Sequence, residues 1–231
     1  ALEFSFRSAD EKMRRGVLYA IGQPGQAPCA SATQALLTQF RPRLMLMTGF
    51  CGGVKGRTNM GDLVAFRSSA AWDYGKWVEV AEGDQKKSLF KARPTTINIP
   101  ENGVRQTIRD MVGQSVKPRE ATLAAVSAAS NGKLTSWKIE SAACGSGSAV
   151  VTSLEKIREI TSLDENIWAI DMESYAFYFA CRNSPVISPD FICCKAVADH
   201  CNGQKSSRWH EACSIVSAHF AHQTVTERYP F

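Results

Sequence analysis

Long hydrophobic runs and a secretory leader are both missing from this sequence of 231 residues. No stretch of about 18 apolar residues occurs, so no transmembrane helix is expected. Charged residues at positions 3, 7 and 10 interrupt the start of the chain, and no signal peptide is recognisable. We therefore expect a cytoplasmic protein with no membrane partner. Because the chain starts at Ala1 rather than Met, it is also consistent with a domain cut from a longer multidomain protein.

Clusters of like charge are also missing. The 27 Lys and Arg residues exceed the 22 Asp and Glu residues, but no block of five or six basic residues exists. This pattern is typical of an ordinary solvated surface, so no nucleic-acid partner is expected, although a small anionic ligand such as a nucleotide would suit the net charge of +5. Neither an internal repeat nor a low-complexity linker occurs. The length and the 44% hydrophobic content favour a single domain over residues 1–231.

The eight cysteines include no C-x-x-C pair, and Cys193 and Cys194 lie inside an apolar run. Small disulfide-stabilised folds are much shorter than this chain, so buried free thiols in a reducing compartment are the favoured interpretation. The histidines at 219 and 222 share a helix face, but no cysteine or carboxylate stands at metal-ligand spacing beside them. The sequence therefore predicts neither a metal nor an organic cofactor.

Strand and helix patterns alternate along the chain. Buried strands are predicted from apolar and β-branched runs at residues 16–21, 44–50, 167–172 and 191–199. Helices are predicted from apolar residues at helical spacing at 30–40, 100–112, 154–160, 174–182 and from 209 onward. An exposed loop is expected around residues 85–87, and residues 113–136 show no clear pattern. The alternation indicates an α/β fold around a central sheet.

Two glycine-rich turns follow predicted strands. The first, residues 51–56, contains three glycines that would let backbone amides approach a ligand closely. It is not a P-loop, because no Gly-Lys-Ser/Thr follows at the required spacing. The second reads Gly-Ser-Gly at residues 145–147 and lacks the third glycine of a dinucleotide fingerprint. Neither turn therefore matches a known cofactor-binding motif.

Four motifs in order carry a family resemblance. They are Thr-Gly-Phe-Cys-Gly-Gly at 48–53 with Gly-Asp-Leu-Val at 61–64, Ser-Gly-Ser-Ala-Val at 146–150, Ala-Ile-Asp-Met-Glu at 169–173 and Lys-Ala-Val-Ala-Asp at 195–199. Together they resemble the purine nucleoside phosphorylase and uridine phosphorylase superfamily, in the nucleosidase branch that includes the 5′-methylthioadenosine/S-adenosylhomocysteine nucleosidases. The resemblance covers about residues 16–226. It implies a three-layer α/β sandwich with a twisted mixed central sheet, and a homo-oligomer.

The resemblance also implies roles in catalysis. Asp199 matches the family's catalytic acid, which protonates N7 of a purine, and Glu173 matches the carboxylate that binds the ribose hydroxyls. Met172 matches a residue packed on the sugar, and the backbone of Val150 would bind the base edge. Lys195 stands where the family often has Arg near the water or phosphate.

Other matched positions depart from the family. Thr48, Gly49 and Phe50 would line the sugar side, but phosphorylases have a phosphate-binding Ser at position 50 and a phosphate-binding Arg at position 47, which is Met here. These losses favour hydrolysis over phosphorolysis. Ser148 replaces the family's acidic residue that holds the catalytic acid.

The water-activating residue is the least defined part of the predicted site. The nucleosidases carry this Glu in the loop after their first strand. In this sequence the corresponding region begins at residues 1–3, so Glu3 is the candidate base, although the family's spacing points nearer to Ser5.

The implied chemistry agrees with these residue types. Cleaving a glycosidic C–N bond builds positive charge on the sugar and negative charge on the departing base. An acid at the end of a buried strand is desolvated, which favours the protonated form needed at N7, whereas an ionised Glu173 would accept hydroxyl donors. Taken alone, each residue also has an ordinary explanation: Asp199 as a turn cap, Glu173 as a first-turn helix residue, and Lys195 as a snorkelling edge residue.

The sequence thus predicts a purine N-glycosidase that hydrolyses the base–ribose bond of an adenine nucleoside or nucleotide. The 5′ group stays open: an apolar pocket would suit a thioether, whereas Lys55, Arg57, Lys205 and Arg208 would suit a phosphate or triphosphate. A phosphate-dependent nucleoside phosphorylase is the alternative enzyme. A nucleotide-sensing module that binds without cleaving is the alternative outside enzymes.

Overall fold

The computed structural model describes residues 1–82, 85–101, 103–113, 118–201 and 207–231. The strands are β1 (Leu2–Arg7), β2 (Met13–Leu18), β3 (Leu44–Gly53), β4 (Leu63–Ala71), β5 (Gly75–Glu82), β6 (Gln85–Ala92), β7 (Thr96–Asn98), β8 (Ile139–Ser146), β9 (Ile167–Asp171) and β10 (Asp190–Asp199). The helices are α1 (Gln26–Phe40), α2 (Gly103–Met111), α3 (Glu120–Ala129), α4 (Leu154–Leu163), α5 (Ser174–Arg182) and α6 (Ser207–Gln223). A π-helical turn, Thr224–Arg228, follows α6.

The central sheet is mixed and closes on itself. Its strand order is β10-β3-β9-β8-β4-β7, and β10 also pairs with β4. β10 runs parallel to β3 and antiparallel to β4, while β8 runs parallel to both β4 and β9. The ring is completed by a short antiparallel contact between β3 and β9, at Gly52 and Gly53. The predicted α/β fold with a mixed central sheet is confirmed, and the closure brings the ends of β3, β9 and β10 together.

Two helical layers cover this sheet. α5 packs on the sheet and is backed by α1, whereas α6 packs on β3 and β10 and is backed by α3. β10 is the most buried strand, because every residue before Asp199 is buried and all but Asp190 and Lys195 are apolar. All eight cysteines are buried free thiols, as the sequence predicts. Among the described residues, no helix has both the length and the apolar character required to cross a membrane.

Several sequence expectations are wrong in detail. The strand predicted at residues 16–21 is β2, which ends at Leu18 and pairs only with β1, outside the central sheet. The loop expected around residues 85–87 is the start of β6, which forms a hairpin with β5. α3 occupies part of the stretch without a pattern, because its Ala-rich sequence favours helix while only Val126 is buried. The predicted strand end at Asn202 and Gly203 lies outside the described residues.

Candidate active site

A cavity of about 410 Å³ opens where the carboxyl ends of β3, β9 and β10 meet the turn that follows β8. The carboxyl ends of strands are the usual place for ligands in α/β sheets, and the volume suits a small molecule. Eight of the ten residues predicted to form the site line this cavity: Thr48, Gly49, Phe50, Val150, Met172, Glu173, Lys195 and Asp199. The structure therefore brings most of the predicted site together from two strands, β3 and β10, the connection between β9 and α5, and the turn after β8.

Asp199 ends β10 at the cavity wall and is partly exposed. A β-bulge between Val197 and Asp199 shifts the register against β3, and such bulges re-aim side chains beside functional sites. Oδ1 accepts a hydrogen bond of 2.7 Å from the backbone amide of Cys201, whose φ of 54° is left-handed. The carboxyl group thus caps its own turn, as the simpler interpretation expects, and still faces the cavity.

Glu173 precedes α5 but does not cap it through its side chain. Its two carboxylate oxygens are held from different elements: Oε1 accepts from the amide of Gly25 at 2.8 Å, and Oε2 accepts from Nζ of Lys195 at 2.7 Å. A carboxylate has about four acceptor positions, so two remain for other donors. The first-turn explanation for Glu173 is therefore insufficient, because its side chain is directed to the cavity.

Lys195 is 4% exposed and lies in a strand paired on both sides. The interpretation of Lys195 as a snorkelling edge residue is wrong, because Nζ contacts Oδ2 of Asp171 and Oε2 of Glu173, each at 2.7 Å. Burial alone would lower the pKa of the ammonium, but the nearby carboxylates outweigh it and raise that pKa well above its usual value. Lys195 is therefore a permanent cation under physiological conditions.

Asp171 is a site residue that the sequence reasoning missed. Burial opposes its charge, yet Lys195 and the surrounding donors lower the pKa of this carboxyl group below its usual value. Its Oδ1 accepts from Oγ of Ser174 at 2.8 Å, and Sγ of Cys144 lies 3.5 Å from the same oxygen. The sequence did contain an indication of this contact. Asp171 and Lys195 carry opposite charges inside two predicted buried strands, and buried charges of this kind have to be paired.

Gly49 and Phe50 lie in the last part of β3, and both contact α6. The amide of Gly49, a residue with φ of 148°, donates to Oγ of Ser217 in α6 at 2.9 Å. The ring of Phe50 is stacked on the imidazole of His210. Phe50 therefore gives the cavity an aromatic wall.

Two predicted site residues do not line the cavity. Glu3 belongs to the β1–β2 hairpin, where it pairs with Arg15 at 3.2 Å. Because that hairpin lies outside the central sheet, the loop that reaches the cavity follows β2 instead and comprises residues 21–24. Ser148 is exposed, and its amide donates to Asp73 rather than to Asp199.

Of the four cations considered for a 5′-phosphate, neither Lys55 nor Arg57 lines the cavity. Lys55 is exposed and lies outside the lining, and Arg57 donates to the backbone carbonyls of Glu165 and Ile167. Lys205 and the side chain of Arg208 lie outside the described residues. The described part of the lining carries three carboxyl groups and one ammonium group: Asp171, Glu173, Asp199 and Lys195. No set of three or more metal-ligating side chains is found in the described ranges.

A family model described as the phosphorylase superfamily matches residues 11–227 of this chain. The chain belongs to the phosphorylase superfamily. Among superfamily structures, the 5′-methylthioadenosine/S-adenosylhomocysteine nucleosidase of Colwellia psychrerythraea, solved with adenine, has a TM-score of 0.60 at 16% identity, over 95% of this chain and 84% of that one. The nucleosidase of Neisseria meningitidis, solved with methylthio-immucillin-A, has a TM-score of 0.56 at 19% identity, over 86% and 75%. These likenesses confirm the fold.

The relatives found by sequence are longer than this chain. The uncharacterized protein y4jS of Sinorhizobium fredii is 25% identical over 212 residues, which are 89% of this chain and 48% of that protein. The ATP nucleosidase Cap17 of Escherichia coli is 21% identical over 209 residues, or 88% of this chain and 40% of that protein. The chain therefore spans less than half the length of these curated relatives.

Proposed function

We propose that this chain is a purine nucleosidase that hydrolyses the N-glycosidic bond of an adenine nucleoside or nucleotide. Asp199 acts as the acid at N7 of the base, and Glu173 accepts the ribose hydroxyls and faces the positive charge that develops on the sugar. The observation that carries the proposal is the convergence of these two carboxyl groups, from different elements, in one cavity of nucleoside size.

Water rather than phosphate is the proposed nucleophile. The cavity offers Met47 and Phe50 where a phosphorylase needs polar phosphate ligands. Its buried cation, Lys195, is already neutralised by Asp171 and Glu173. Within the described lining, an incoming phosphate would therefore meet carboxyl groups and no unpaired cation, which disfavours its binding.

Relatives support the same reaction class. The solved neighbours include nucleosidases and the futalosine hydrolase of Helicobacter pylori, which has a TM-score of 0.57 at 15% identity. The relative Cap17 is named an ATP nucleosidase, which supports a nucleotide as the substrate of this chain. The aliphatic lining at Ile21, Val150 and Val151 instead suits a less polar 5′ group, so both classes belong in the test.

The test measures whether the purified protein releases free base from purine substrates. Adenosine, AMP, ATP, methylthioadenosine and inosine are incubated with and without added phosphate, and the base and sugar products are separated by chromatography. We expect adenine, together with a sugar that carries a C1 hydroxyl and keeps the 5′ group of its substrate, from at least one adenine substrate, without dependence on phosphate. Strict dependence on phosphate, with a sugar 1-phosphate as product, would identify a phosphorylase. Tight nucleotide binding without base release from any purine would identify a sensing module.

A further inference from the structure

Beyond the acid and the ribose-binding carboxylate of the proposed function, a buried ion pair lies in the wall of the cavity. We propose that Asp171 and Lys195 are positioning residues that hold Glu173 in the orientation in which it recognises the ribose hydroxyls. This inference rests on the proposed function. It assigns a role to Asp171, which lies on β9, and to a lysine that would otherwise be taken for a ligand of phosphate or water.

The contacts fix Nζ of Lys195 between two carboxylates. The side chains of Asp171 and Lys195 are 1% and 5% exposed, whereas that of Glu173 is 14% exposed and reaches the cavity. Asp171 is in turn fixed by the amide of Ser174 at 3.0 Å and the hydroxyl of the same residue at 2.8 Å. A rigid chain of contacts therefore runs from β9 through β10 to Glu173.

A second set of contacts holds the opposite side of Glu173. The amide of Gly25 donates to Oε1 at the start of α1. The neighbouring Gln26 accepts from the amide of Ala176 at 2.8 Å and donates to Oγ of Ser146 at 2.9 Å, which locks α1 to α5. Glu173 is thus held between a charged partner and a fixed backbone amide, and its remaining acceptor positions point in a defined direction.

Charge explains why Asp171 is needed as well as Lys195. A single buried lysine paired with Glu173 alone would neutralise the carboxylate that must face a cationic sugar. With Asp171 as a second partner, the group of three keeps one net negative charge. Asp171 thereby lets Lys195 orient Glu173 without cancelling its charge.

The experiment measures ribose recognition without turnover. Every protein carries Asp199→Asn so that nucleosides are not consumed, and titration calorimetry gives the affinities for adenosine and 2′-deoxyadenosine. The parent is compared with variants that also carry Asp171→Asn, Lys195→Arg or Glu173→Gln. Asp62→Asn is the matched control, because Asp62 is buried and accepts amide hydrogen bonds but does not line the cavity.

We expect the parent to prefer adenosine and Glu173→Gln to abolish that preference. Asp171→Asn should reduce the preference by about tenfold, the effect of losing one hydrogen bond to a charged group, whereas Lys195→Arg should keep most of it and Asp62→Asn all of it. The inference would be overturned if Asp171→Asn reduced the affinities for adenosine and 2′-deoxyadenosine equally, or if the parent showed no preference between them. Thermal melting confirms that each variant is folded. Failure of the proposed function would instead appear as no base release by the protein with Asp199 intact.

Discussion

The ring of Phe50 stacks on the imidazole of His210, with centroids 4.1 Å apart and planes at 4° to each other. The contact joins the last part of β3 to the start of α6. It also forms the aromatic side of the cavity, since Phe50 is 41% exposed there. The two residues should therefore behave as one unit.

A double-mutant cycle tests this coupling. We expect Phe50→Ala and His210→Ala to have non-additive effects on the free energy of unfolding, with a coupling of about 0.5–1.5 kcal/mol for an aromatic pair. Denaturant titrations of the two single variants, the double variant and the parent give the value. Additive effects, within the error of the titrations, would show that the stacking contributes no stability.

Asp199→Asn should remove base release and leave the fold intact. The amide side chain keeps an oxygen that can accept the hydrogen bond from Cys201, but it cannot supply a proton to N7. We expect base release to fall by about 10²- to 10⁴-fold, the usual contribution of a general acid. Asp73→Asn is the control, because Asp73 also accepts a backbone amide yet lies outside the cavity lining. Equal losses in both variants would argue against a specific acid.

Gly52→Ala should disturb the turn that holds the acid. A Cβ at Gly52 would lie 2.2 Å from Sγ of Cys201, whose amide binds Asp199. We expect a loss of about 1–3 kcal/mol in the free energy of unfolding, as for other overpacked sites, together with lower base release. Adding Cys201→Ala removes the sulfur and should recover most of both losses relative to Cys201→Ala alone. No recovery in the double variant would locate the damage elsewhere.

Acid should destabilise the protein through His219. Burial lowers the pKa of this imidazole, and the neighbouring His222 and Arg119 lower it further. A depressed pKa means that the stability contribution is complete above the unfolded-state value of about 6.5 and is lost as the pH falls. Replacing His219 by Gln should therefore reduce the drop in melting temperature between about pH 7.5 and about pH 5.5. His222→Gln, at an exposed position of the same helix, should show a larger drop in melting temperature over this pH range than His219→Gln does.

The thiols should be largely unreactive in the native protein. Burial raises the pKa of Cys29, Cys194 and Cys213 to about 12, so the reactive thiolate is scarce. We expect few of the eight cysteines to react with a thiol reagent within minutes, and all eight to react in guanidinium without a reductant. A denatured protein with fewer than eight reactive thiols would contradict the observed free state.

Local patterns predict the parts of this fold that bury continuous apolar runs. The strand ending at Asp199 and the helix starting at Ser174 are both predicted, because each contains apolar residues at the spacing of a buried strand or helix. The pairing of strands was not predictable in the same way. No local pattern in Leu2–Arg7 indicates that this strand pairs with Met13–Leu18 outside the central sheet. The sequence therefore could not predict that Glu3 pairs with Arg15 in that hairpin.

The site shows the same division. Motif order predicted Glu173 and Asp199 as neighbours, and both line the cavity. A lone lysine in an apolar strand, by contrast, gives no indication of its partners. Only the closure of the sheet brings Asp171 within 2.7 Å of Lys195. The side chain of Ser148 stays exposed for a related reason, since its turn is held by an amide contact to Asp73 that the motif does not specify.

The ring of strands separates two tasks within the domain. Around Lys195, β10 has hydrogen-bonded neighbours on both sides, so this part of the strand cannot shift without opening the sheet. The segments at residues 21–24 and 149–151 line the same cavity but belong to no strand. Those connections can vary in length and sequence without changing the pairing of β10. The size and lining of the cavity can therefore change while Lys195 keeps its place in the sheet.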